Sequence, residues 1–268
     1  MGLEINSLLR AYGLNGIERQ NKASSVSFRQ NTNTSEDRFE SNQPERFANE
    51  AVITKLVNSN SKIQSILKEV GVEAILNFQD LKPLLNNHCT DVRNISSGIV
   101  QNLPFSLRNF VDEKALLDAS YLHDIGKVLI PSEILNKQGK LNETETKIMH
   151  KHSELSYEIL KNTNLDKKTL NLIRNHHQNA KKSGYPFVPK DFRADLNLQI
   201  LTMADKYSAL TEKRPYKEAF TPKQALTIIY TDVKDGKLHP FVFKALANYV
   251  NTTEISKHNP EINQEIPS

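Results

Sequence analysis

The chain of 268 residues is poor in several things at once. It has one cysteine, Cys89, and no tryptophan, and aromatic residues make up only 7% of it. A lone cysteine excludes an intramolecular disulfide and any zinc site built on a cysteine cluster. It suits a reducing compartment, so the expected location is cytoplasmic. No apolar run approaches the ~18 residues of a membrane helix, and no signal-peptide core follows Met1. Charge of one sign is lacking too: 35 Lys and Arg against 31 Asp and Glu leave a formal +4. That balance gives no reason to expect DNA as a partner unless the charge is clustered. Hydrophobic residues amount to 38% and mean hydropathy is −0.53, so part of the length lies outside a packed core. What the chain does have is histidine, eight residues beside the single thiol. Metal chemistry here would rest on imidazole and carboxylate.

Residues 1–44 run through Asn, Ser, Gln and Thr after a short apolar start at Ile5, Leu8, Leu9, Tyr12 and Leu14. They carry too little apolar surface to offset the entropy of ordering and read as a disordered polar tail. Residues 45–80 read as a short helical extension. Phe47, Val52, Ile53, Leu56 and Val57, then Ile63, Ile66 and Leu67, recur at helical spacing, with Gly71 as a stop. Ala74, Ile75, Phe78 and Leu81 form a further set, and Pro83 is placed near the start of the next helix. Residues 81–253 stay helical: 84–103, 113–123, a short helix after Pro131-Ser132, a helix headed by Asn142, then 165–177 and 196–210, and helices opened by Thr221-Pro222 and His239-Pro240. β-Alternation is confined to 128–130, and there is no internal repeat. Residues 254–268 read as a polar tail. The expected fold is all-α.

Five of the eight histidines and two aspartates form an ordered series: His88, His123-Asp124, His152, His176-His177 and Asp205. Each falls at or near the end of an expected helix. Neighbours on a regular helix diverge by ~100°, so an adjacent pair straddles a metal cluster more readily than it grips one ion. Imidazole with carboxylate suits Fe, Mn or Zn, and two ions ~3.5–4 Å apart need a bridging carboxylate and a bridging water. Asp124, central in the series, is the natural bridge. Gly126 is read as ending a helix and letting the backbone turn. Lys127 then stands one turn from Asp124, where an ammonium can meet an anionic oxygen.

Leu122-His123-Asp124-Ile125-Gly126-Lys127 resembles the signature of the HD phosphohydrolases. His176-His177, followed by Ser183-Gly184-Tyr185-Pro186, resembles their HD-GYP branch. Ile134-Leu135-Asn136-Lys137, His152 with Ile159-Leu160, the run from Ala204-Asp205 to Leu210, and Arg214-Pro215-Tyr216 stand in that family's order. The resemblance covers roughly residues 81–252. It implies an HD-type helical bundle around two or three metal ions. It also implies hydrolysis of cyclic di-GMP, a bacterial second messenger, to the linear dinucleotide or GMP by a hydroxide bridging the metals. Carried over by position, one metal takes His88, His123, Asp124 and Asp205. The other takes Asp124 as bridge with His152, His176 and His177. Fe or Mn leads among the divalent ions, with Zn and Mg as alternatives. Lys127, Arg214 and Lys217 match positions that hold substrate phosphate, Asp124 and Lys127 the catalytic ones. Gly184, Tyr185 and Pro186 match the loop that borders the guanine.

The chain also departs from that pattern. Leu84 stands where some members carry a Glu for a third metal, which argues for two ions. After His176-His177 the usual Glu, two residues and Asp-Gly are replaced by Gln178-Asn179-Ala180-Lys181-Lys182. Basic residues concentrate between Lys181 and Lys217, where an anionic ligand would enter. His150 is read as a surface or supporting residue, His239 as a turn or cap, His258 as tail and Cys89 as a structural thiol. Tyr207 and Tyr216 border the pocket or belong to the core. Two alternatives accompany the phosphodiesterase reading: a catalytically weak cyclic-dinucleotide sensor or scaffold of the same fold, and an HD phosphohydrolase acting on another nucleotide. No sensory domain is visible before residue 81. Input is therefore expected through a signalling protein docked on the N-terminal tail or the 180–186 loop, or through a dimer.

Overall fold

Short polar side chains set where the helices begin. The computed structural model describes residues 43–213 and 218–258. Asn49 caps α1 (Glu50–Asn58), Asn60 caps α2 (Ser61–Glu69) and Asn77 caps α3 (Phe78–Leu84), each accepting from amides of the first turn. After α4 (Thr90–Asn102) and the short α5 (Phe105–Arg108), Asp112 caps α6 (Glu113–Leu122). α7 (Ser132–Leu135) follows Pro131, and a capping box between Asn142 and Glu145 opens α8 (Glu143–His150). Only Lys151 separates it from α9 (His152–Leu160). Asp166 caps α10 (Lys167–Asn175) and Asp195 caps α11 (Leu196–Thr211). A second capping box, Thr221 with Gln224, opens α12 (Pro222–Lys234), and α13 (Pro240–His258) runs past the point near Thr253 where the sequence turns polar.

The described residues form an all-α bundle without a strand. α4 runs through its centre against α6, α11 and α13. Val92, Ile95, Ile99 and Val100 line its buried face at helical spacing, and Gly98 lets the Tyr249 ring lie directly on the α4 backbone. α9 packs on α10, α1 and α2, and on a 3-10 turn, Ile125–Leu129. Ile53, Ile63 and Leu67 of the segment read as an extension share one core with Ile99, Leu116 and Leu122. Each such fully buried side chain contributes about 1.5–3 kcal/mol. No described helix is long and apolar enough to cross a membrane. The segment 1–42, Arg214, Tyr216, Lys217 and the chain after 258 lie outside the described residues.

Three local features differ from the sequence expectation. Pro83 sits inside α3 rather than at the head of the next helix, and a π turn, Leu85–Cys89, follows it. Proline has no N–H to return to the carbonyl four residues back, and the Thr90 hydroxyl bonds the Leu85 carbonyl at 2.9 Å across the widened turn. The stretch 128–130 belongs to the 3-10 turn and its exit, joined to the chain at Asn77 by one bond from its amide to the Val128 carbonyl, 2.8 Å. Gly126 does not turn a helix end. α6 already stops at Leu122, and Gly126 lies within the 3-10 turn without a positive φ. A Cβ there would stand 2.2 Å from the His152 carbonyl oxygen and 2.5 Å from the Ser156 nitrogen. The glycine is what lets this turn lie against α9. Its N–H donates to Ser156 Oγ (2.9 Å), which donates on to the His123 carbonyl (2.6 Å).

Candidate metal centre

Helix ends bring six of the seven residues together; Asp205, expected near a helix end, comes instead from a helix interior. His88 comes from the π turn, His123 and Asp124 from the end of α6, His152 from the first position of α9, and His176 and His177 from the end of α10. Asp205 comes from the body of α11. All except half-buried His177 are between 0 and 8% exposed.

They form two groups. His152, His176 and His177 offer nitrogens that all lie within 4.8 Å of one another, and His88, His123 and Asp205 offer two nitrogens and a carboxylate oxygen equally close. Asp124 stands between them with one oxygen for each. Its Oδ1 is 3.2 Å from His152 Nε2 and 3.9 Å from His176 Nε2; its Oδ2 is 3.3 Å from His123 Nε2 and 3.6 Å from His88 Nε2. Asp205 repeats the pattern at the rim, Oδ1 3.1 Å from His88 Nε2 and Oδ2 3.7 Å from His177 Nδ1.

The backbone sets the tautomers. His123, His152 and His176 each place Nδ1 on the carbonyl three residues earlier, at 2.8, 2.7 and 2.7 Å. A carbonyl only accepts, so Nδ1 carries the proton and Nε2 presents a lone pair inward. Ser208 does the same for His88. Its Oγ lies 3.2 Å from His88 Nδ1 and its proton goes to Asp91 Oδ2, 2.7 Å away. The lone pairs of His152 and His176 then face one another, Nε2 to Nε2 3.2 Å, and His177 Nε2 lies 3.1 Å from His152 Nε2. His123 Nε2 and Asp124 Oδ1 are buried with no hydrogen-bond partner. Convergent, unpaired donor atoms in a buried site are unfavourable by themselves and are the arrangement a divalent cation satisfies. The residues present fit two such ions. Ser208→Ala is expected to weaken metal binding about 10–100-fold by freeing the His88 ring, as read by chelator competition.

Charge follows the same logic. Burial pushes His152 down to about 3 and His177 down to about 4, and burial with the neighbouring His177 takes His176 well below its usual range. These rings are therefore neutral at physiological pH, the form that binds metal. Burial alone would raise Asp124, but Lys127 and His123 hold it well below the usual carboxylate range. Burial would lower Lys127 and His123; the Asp124 carboxylate outweighs it, and both are raised. Lys127 Nζ stands 2.5 Å from Asp124 Oδ2. Cys89 could complete a third group with His123 and Asp124, but burial and the Asp124 charge push its thiol well up, so it stays protonated.

The Gly184-Tyr185-Pro186 loop closes over the His177 side. The Tyr185 ring lies 4.5 Å from the His177 ring, centroid to centroid. A Cβ at Gly184 would fall 1.9 Å from the His177 carbonyl oxygen, so only glycine fits. Buried Gln178 clamps the loop. Its Nε2 donates to the Pro186 carbonyl (2.6 Å) and its Oε1 accepts from the Gly184 amide (3.3 Å). A carboxylate could accept but not donate, which gives the departure from Glu at this position a use. Gln178→Glu is expected to cost about 1–3 kcal/mol. Thermal unfolding should show a lower midpoint. Lys182, where the family's turn carries Gly, keeps a left-handed φ of 58°. Tyr207 is buried in the core. The His239 amide bonds the Gln199 side chain (3.1 Å) at the head of α13, a cap position. His150, given no ligand role by sequence, stacks on Tyr185.

A helical bundle that closes on clustered imidazoles and carboxylates is a metal-binding helical domain. Residues 74–240, more than half of the chain, match the family model described as HD domain, and the chain belongs to that family. The His176-His177 pair and the Gly184-Tyr185-Pro186 loop make it of the HD-GYP type. HD domains bind divalent metals, and this chain has the groups to hold them. It is 30% identical over 187 residues to the 3'3'-cGAMP-specific phosphodiesterase 1 of Vibrio cholerae, covering 67% of this chain and 43% of that protein. It is 39% identical over 115 residues to the cyclic di-GMP phosphodiesterase response regulator RpfG of Xanthomonas campestris, covering 42% and 30%. The solved HD domain of L. monocytogenes phosphodiesterase PgpH aligns at 15% identity with a TM-score of 0.49, covering 78% of this chain and all of that one. The chain spans less than half the length of these two curated relatives.

Proposed function

We propose that the chain is a metal-dependent phosphodiesterase that hydrolyses cyclic di-GMP to the linear dinucleotide or GMP in the cytoplasm. The observation that carries this reading is Asp124, which offers one carboxylate oxygen to each of two imidazole groups while Lys127 sits on the same carboxylate. In this reading His88, His123, Asp124 and Asp205 hold one ion, and Asp124, His152, His176 and His177 the other. The donor set suits Fe or Mn. When bound, two divalent ions acidify a water and neutralise the non-bridging phosphate oxygens as charge builds up.

The chain's own residues do the rest. Asp124 and Asp205 supply the negative charge that balances the ions. Lys127 sets an ammonium where charge develops on the phosphate and stabilises it there. Arg214 and Lys217 are proposed to hold phosphate, Arg through two parallel hydrogen bonds. Gly184, Tyr185 and Pro186 border the base. The 180–186 loop touches His177 through Gly184 and Tyr185, so a signalling protein docked there would reach the centre. The N-terminal tail and a second copy of the chain are the other input routes.

The 268-residue chain loaded with Mn or Fe should convert cyclic di-GMP to a linear product on chromatography. No turnover of any cyclic dinucleotide with any of these metals would overturn the proposal. Preference for 3'3'-cGAMP is the second reading, carried by the Vibrio relative that aligns with 67% of the chain. The same assay separates the two.

A further inference from the structure

One of the five histidine ligands in this reading lacks the anchor the others have. His123, His152 and His176 are each oriented by a backbone carbonyl, and His88 by Ser208. His177 Nδ1 has only the Asp205 carboxylate, at 3.7 Å, beyond hydrogen-bond length. Three rings pack on it: His176 at 4.0 Å and His152 at 4.9 Å from its own group, and Tyr185, from outside that group, at 4.5 Å and tilted by 33°. Tyr185 is held in turn by His150, with centroids 3.7 Å apart and planes 13° from parallel. Two imidazoles cannot share one face of a phenol ring at these distances, so Tyr185 lies between them. His150 is the last residue of α8, next to Met149, whose carbonyl orients His152. The α8–α9 junction is thus joined to the Gly184-Tyr185-Pro186 loop by one stack of three rings.

We propose that His150 is a positioning residue that presses Tyr185 onto His177, and so sets that imidazole and the loop for metal and dinucleotide. The inference rests on the two-metal reading of the site. An aromatic contact has a preferred geometry as well as an area. The stack restrains the plane of the His177 ring, as a carbonyl does for its neighbours, but leaves its tautomer free. The ring of His150 matters here, not its nitrogens, so phenylalanine should replace it.

The test compares the full chain with His150→Ala, His150→Leu and His150→Phe. Chelator competition reads the affinity of each Mn ion, and steady-state hydrolysis of cyclic di-GMP reads kcat and KM. His150→Ala and His150→Leu should each weaken one of the two ions about tenfold, the scale of one aromatic contact, and leave the other ion near its parent value. KM should rise more than kcat falls. His150→Phe should restore both. Should the alanine variant not fold, the leucine and phenylalanine variants decide. Parent-like affinities in the alanine or leucine variant, equal weakening of both ions, or no rescue by phenylalanine would overturn the inference. A parent that binds two ions but turns over no cyclic dinucleotide would sink the proposed function while the affinities still judge His150. A parent that binds no ion would sink both.

Discussion

Asp124→Ala is expected to strip both metal ions from the protein and abolish hydrolysis. The reason is geometric. One oxygen of this carboxylate lies 3.2 Å from His152 Nε2 and the other 3.3 Å from His123 Nε2, so the residue belongs to both groups at once. Hydrogen-bond partners behind metal ligands are worth about 10–100-fold in affinity, so loss of a shared ligand should cost more than about a hundredfold at each ion. The substitution also leaves the part-buried Lys127 ammonium without its partner, at about 1–3 kcal/mol. Asp124→Asn, with the same shape and no charge, is the companion variant should the alanine form not fold. His177→Ala makes the contrast, because its nitrogen belongs to one group only. Metal analysis after gel filtration should find neither ion in the Asp124 variants and one in His177→Ala. An Asp124 variant with one ion at full occupancy would show that the carboxylate does not bridge.

Gly126→Ala is expected to be among the most damaging single methyl additions. The new Cβ would lie 2.2 Å from the His152 carbonyl oxygen and 2.5 Å from the Ser156 nitrogen, both backbone atoms of α9 that cannot swing aside. The turn and α9 would have to separate, parting Asp124 from His152. Overpacking of this kind costs about 3 kcal/mol, and at roughly 2–4 °C per kcal/mol for a domain of this size the thermal midpoint should fall about 6–12 °C. Gly71→Ala is the control. Gly71 has φ +71°, and a methyl added there would meet nothing within 4 Å, so only left-handed backbone strain of about 1 kcal/mol is at stake. Similar midpoints for the two variants would contradict the close-approach explanation.

The clustered His and Asp series was legible because helical periodicity explains most apolar positions and leaves these polar residues unexplained. The caps at Asn142 and Thr221 were legible for the same local reason. Other features were not. A 3.6-residue pattern cannot show the π turn that carries His88. Gly126 looks in sequence like a helix stop, because a glycine needed for close approach and one needed for a turn are the same letter. Gln178 looks like a loss until the Pro186 carbonyl shows what its amide does. His150 meets its partner only through the folded loop, so no local signal marks it. The apolar residues of 45–80 announce helices but not the core they join. Arg214 and Lys217 stand on the resemblance alone.

The most direct test of the two-ion centre is the metal content of the full chain purified without oxygen and saturated with Mn or Fe. Two ions per chain are expected. One ion, or none, at saturation would contradict a two-ion centre.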